Sequence, residues 1–67
     1  MKIKYVVQAT MCGRWIDCKT AVSEENAEIL RNDLVGNKDA WCNAPDYDER
    51  MDMTQIVPVE QANCQYN

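Results

Sequence analysis

The chain has no histidine, no phenylalanine, only two glycines and two prolines, and no apolar run longer than a few residues. Each absence excludes something. Without histidine the usual general acid or base is missing, and a mixed Cys/His zinc site cannot be assembled. Two glycines and two prolines rule out collagenous or low-complexity chains, and the short apolar runs rule out a membrane-spanning helix. The basic N-terminus lacks the apolar stretch of a signal peptide, so a soluble chain in the cytoplasm is expected.

What is present fits one small globular unit. Sixty-seven residues, 46% hydrophobic and 27% charged, make a single domain whose core is small. Seven basic and eleven acidic side chains leave a net charge of −4, which disfavours direct contact with nucleic-acid phosphates. The charge is also unevenly placed. Residues 1–20 carry Lys2, Lys4, Arg14 and Lys19 against Asp17, for +3, whereas residues 21–37 carry Glu24, Glu25, Glu28 and Asp33 against Arg31, for −3. Residues 38–52 add Asp39, Asp46, Asp48, Glu49 and Asp52 against Lys38 and Arg50, again −3. Such a distribution gives a directional field that steers a charged partner.

Period-two alternation of Ile3, Tyr5, Val7 and Ala9 predicts a first strand, broken on its polar side by Val6. Residues 14–20 suit a second strand, joined as a hairpin through Met11-Cys12-Gly13. Ser23 followed by Glu24 and Glu25 predicts a capped helix over about residues 24–35 that ends on a left-handed Gly36. Its apolar stripe is Ala27, Leu30, Leu34 and Val35, which leaves Ile29 outside among Glu25, Asn32 and Asp33. No period holds from 37 to 52, which reads as a long acidic loop in which Trp41 plugs the core. Residues 53–60 read as a last strand confined to an edge by Pro58, and 61–67 as a frayed tail. The expected fold is α+β, a two-layer ββαβ arrangement with a three-stranded antiparallel sheet, its first strand central and one helix packed on one face.

Little chemistry is assembled. The four cysteines, Cys12, Cys18, Cys42 and Cys64, include no Cys-x-x-Cys pair, so reduced thiols are expected, with Cys18 and Cys42 as small core residues and no metal bound. Asp46-x-Asp48-x-Arg50-x-Asp52 lacks the glycine and the terminal glutamate of a calcium loop. The chain is therefore read as a non-enzyme without cofactors. Protein recognition remains, with Glu25, Glu28, Ile29 and Asp33 on the helix and Asp46, Tyr47, Asp48 and Glu49 in the loop as partner-binding residues. These acids would occupy a Lys- and Arg-lined groove that otherwise holds nucleic acid, with Ile29 and Tyr47 as anchors. Addition of the edge strand to a partner's sheet is the competing mode.

The segments Lys4-Tyr5-Val6-Val7-Gln8, Trp15-Ile16-Asp17 and Ser23-Glu24-Glu25-Asn26-Ala27 resemble those of small acidic proteins encoded by phages and prophages, anti-CRISPR inhibitors among them. The resemblance implies an inhibitor, monomeric or homodimeric, that binds a Cas effector or similar host nucleoprotein through its basic groove by nucleic-acid mimicry. The alternative is a non-catalytic phage interaction or regulatory module whose acids serve solubility only.

Overall fold

A computed structural model describes residues 2–41 and 45–66 of the chain. Strand β1, Tyr5–Met11, pairs antiparallel with β2, Arg14–Ala21, and with β3, Thr54–Pro58, in the order β2-β1-β3. Helix α1, Glu24–Gly36, packs on the sheet, and a short helix α2, Tyr47–Asp52, precedes β3. The α+β architecture with a central first strand is thus the one the hydrophobic pattern predicts.

β1 and β2 meet through a two-residue turn in which Cys12 has φ 53° and Gly13 φ 80°. Two successive positive φ values define a type I′ turn, whose twist matches that of the flanking strands. Glycine adopts this backbone freely, but cysteine does so at a cost that asparagine largely avoids. Cys12→Asn is therefore expected to stabilise the fold by about 0.5 kcal/mol and to raise the melting temperature by a few degrees in a thermal scan. Between Val7 and Gln8 the β1–β2 register shifts, so that Val7 faces Lys19 while Gln8 faces Asp17, and Cys18 is the extra residue of a bulge. The bulge leaves Cys18 exposed as a free thiol, contrary to the core position expected for it. Cys12 and Cys64 are also free and exposed, and Cys42 lies outside the described residues.

The core joins Val7, Ala21 and Ala27, with Tyr5, Leu30, Leu34 and Ile56 packed around them. Val35 is also fully buried, so the predicted helical stripe faces inward. The helix does not end on a left-handed glycine. Gly36 is its last residue and has no positive φ, and the terminal carbonyls find donors from elsewhere. Leu34 O accepts the Asn37 amide at 3.3 Å and the Trp41 indole Nε1 at 3.0 Å, while Val35 O accepts Arg50 Nε at 2.6 Å. Trp41 is half-buried and anchors its segment through this hydrogen bond. The stretch read as one long loop instead contains a 3-10 turn at Lys38–Ala40 and then α2.

The far side of β1 is covered too. Val6, Val7 and Gln8 are successive residues with 0%, 0% and 3% of their surface exposed, so both faces of β1 are buried. The tail, expected to fray, is pinned. Asn63 and Cys64 donate their amides to the Asp17 carboxylate at 3.1 Å, Tyr66 Oη donates to it at 3.0 Å, and Asn63 Nδ2 donates to Trp15 O.

Candidate functional site: the acidic helical layer

The N-terminus of α1 is fixed by Ser23, whose Oγ accepts the Asn26 amide at 3.1 Å, while Asn26 Oδ1 reaches back to the Val22 amide at 3.3 Å. This reciprocal cap satisfies donors that the first turn leaves unpaired. It also sets the phase of the helix. Glu25, Ile29 and Asp33 follow one another at four-residue spacing on the outward side, all exposed, with Ile29 59% exposed. Glu28 is turned toward β3 instead. With Glu24, Arg31, Tyr5, Thr54, Gln55 and Ile56 it lines a groove of about 410 Å³ between α1 and the sheet edge.

α2 opens at Asp46, whose carboxylate accepts the Glu49 amide at 2.9 Å. Asp46 therefore has a structural duty beyond the docking role expected from sequence. Tyr47 is 52% exposed, and its ring lies 5.8 Å from the Arg50 guanidinium. Asp48 and Glu49 are exposed.

Two arginines join α2 to α1 and β3. Arg50, 4% exposed, donates to Val35 O and to Pro45 O, each at 2.6 Å. Arg31 donates from Nε to Thr54 Oγ1 at 2.8 Å and from Nη2 to Met51 O and Thr54 O at 3.0 and 3.3 Å. Every one of these acceptors is a neutral carbonyl or hydroxyl oxygen. The acids of the two helices are thus not the partners that hold these guanidinium groups in place. α1 carries four acids against Arg31, and α2 with its cap carries four against Arg50, so each is −3. The charge asymmetry along the sequence becomes an asymmetry between layers, with an acidic helical side against a hairpin that carries Arg14 and Lys19 with Asp17 and is preceded by Lys2 and Lys4.

Sequence reasoning missed both arginines. Arg31 had a legible signal, since it lies four residues after Ala27 and three before Leu34, on the buried stripe. Arg50 had none, being a single base in an acidic run.

A second polar constellation lies on the opposite side. Gln55 Nε2 donates to Gln8 Oε1 at 2.8 Å, and Gln8 Nε2 donates to Asp17 Oδ1 at 2.7 Å, so the buried Gln8 amide orients the carboxylate that holds the tail. Desolvation pushes the Asp17 carboxyl up, but the donors from Gln8, Asn63, Tyr66 and Cys64 together outweigh it and hold the group below its ordinary value. The same hydrogen bond, with smaller contributions from desolvation and the nearby charge, pushes the Tyr66 phenol up to about 12.

Among the described residues, no group of three or more His, Cys, Asp or Glu is placed to hold a metal ion, and no helix is long and apolar enough to cross a membrane. In comparisons with known proteins, no family, no curated protein and no solved structure matches this chain.

Proposed function

We propose that this protein is a non-catalytic binding module whose acidic helical layer docks into a Lys- and Arg-lined groove of a nucleic-acid-binding partner. The observation that carries the reading is the use made of Arg31 and Arg50. Both are committed to carbonyl and hydroxyl oxygens, which leaves Glu25, Asp33, Asp48 and Glu49 to present negative charge outward, with Glu28 at the groove beside β3. A surface of this kind raises the association rate with a basic partner. Ile29 and Tyr47, the exposed apolar residues of the two helices, supply the desolvated contacts that slow dissociation. The partner implied by the resemblance to phage inhibitors is a Cas effector complex, whose nucleic-acid groove already accommodates a polyanion.

The competing mode, strand addition at β3, is disfavoured by the edge itself. The amides of Thr10 and Val59 bond across the β1–β3 pair, so the pairing parity turns Thr54, Ile56 and Pro58 outward. Thr54 O is occupied by Arg31, and Pro58 has no N–H. Only Ile56 retains both groups for an incoming strand.

The test is a pull-down from bacterial lysate with tagged protein, followed by elution with duplex DNA. The expected result is a nucleic-acid-binding protein that DNA displaces. Its association with a Glu25→Lys, Asp48→Lys variant is expected to be at least about tenfold slower at low salt, with a flatter salt dependence. An unchanged rate and salt slope would assign these acids to solubility alone.

A further inference from the structure

The sheet has two edges, and they are closed by different means. At β3, Arg31 and Pro58 do the closing. At β2, where six of the eight residues are exposed, the edge is blunted only by the bulge at Cys18 and the charges of Arg14, Asp17 and Lys19. The β1–β2 register turns the backbone groups of Trp15 and Thr20 outward, away from β1, and Asn63 Nδ2 takes the outward carbonyl of Trp15. An unpaired strand edge with aromatic and β-branched residues is a template for pairing with another strand, and folded proteins usually block it.

We infer that residues 62–66 form a strap that guards the β2 edge: latched on Asp17 it keeps β2 from pairing, and released it lets β2 pair antiparallel with β2 of a second copy. The inference is independent of the acidic helical layer, which lies on the other side of the sheet.

Three observations carry it. Among the described residues, the hydrogen bonds that tie residues 63–66 to the sheet all end on the Asp17 carboxylate or on Trp15 O. Those bonds lie at exposed or half-buried positions, so the strap belongs to the part of the fold that opens first. The strap also caps the outward Trp15 carbonyl, which the bulge and the charges of β2 do not cover, and pairing of identical antiparallel strands about a two-fold axis gives a closed, self-complementary interface.

The carboxylate accepts with both oxygens, Oδ1 from Gln8 and Asn63, and Oδ2 from Asn63, Cys64 and Tyr66. An asparagine offers one acceptor and no charge. In the full-length chain, Asp17→Asn is expected to accelerate hydrogen exchange of the Asn63 and Cys64 amides by about tenfold or more while the α1 amides stay protected. Sedimentation velocity at increasing concentration is expected to show a monomeric parent and a variant that dimerises, with the Thr20 amide slowing as the dimer forms. Asn63→Ala uncovers Trp15 O without touching the latch charge and is expected to dimerise in the same measurement, and a chain that stays monomeric would mean that this contact does not guard the edge. This variant carries the test should Asp17→Asn not fold. Unchanged exchange at Asn63 and Cys64 in Asp17→Asn would overturn the latch. A released tail on a chain that stays monomeric would overturn the guard, as would a dimer whose newly protected amides lie outside β2.

Discussion

Replacement of Arg50 by methionine is expected to cost about 3 kcal/mol in urea denaturation. Methionine retains much of the apolar stem, so the loss reports the hydrogen bonds more than the volume. Arg50 is 4% exposed and holds two carbonyls that belong to different parts of the chain, Val35 O at the end of α1 and Pro45 O just ahead of α2. Hydrogen bonds from a charged donor are worth about 1.5–3 kcal/mol each, and the acceptors would be left in a partly buried seam. The Val35 contact also sets a positive charge at the negative end of the helix dipole. A chain of 67 residues has a total stability of only about 3–10 kcal/mol, so the change is expected to remove between about a third and nearly all of it. Arg50→Lys keeps the charge but cannot reproduce the two-directional fork, and is expected to recover less than half of the loss. A cost below about 1 kcal/mol for the methionine variant would mean that water replaces the guanidinium at both carbonyls.

Arg50 also shows where sequence reading stops. β1, β2, α1 and β3 each carry a local signal, from period-two alternation, β-branched residues, a serine cap or a helical stripe, and each is found within three residues of its expected span. The exposure of Ile29 follows from the same helical geometry. α2 is six residues long, too short for any period, and its cap Asp46 looked like one more acid in a charged run. The end of α1 was misread because Gly36 offered a local stop, whereas the carbonyls are closed by Trp41 and Arg50, which are set by tertiary contacts. The tail lacked an apolar pattern, and its partner Asp17 is 46 to 49 residues away in sequence, so nothing local marked it as ordered. The bulge at Cys18 depends on cross-strand register and was equally silent.

The burial of both faces of β1 sets up a paired comparison. Val7→Ala and Val6→Ala are each expected to cost about 2 kcal/mol, because each removes two methyl groups from a site with no solvent exposure and leaves a small cavity. Val7 lies in the cluster under α1, where Ala21, Ala27, Leu30, Leu34 and Ile56 surround it. Val6 lies on the other face, between Thr20 and Val57 by register, on the side where Gln8 and Asp17 meet. On a two-layer sheet open to water on that face, Val6→Ala would cost only a few tenths of a kcal/mol, as surface changes generally do. Equal losses in chemical denaturation would therefore show that the far face of β1 is a second small core. A Val6→Ala cost that falls to the level of a surface change when combined with Asp17→Asn would assign that core to the strap. Additive costs for the two changes would mean that Val6 is covered without it.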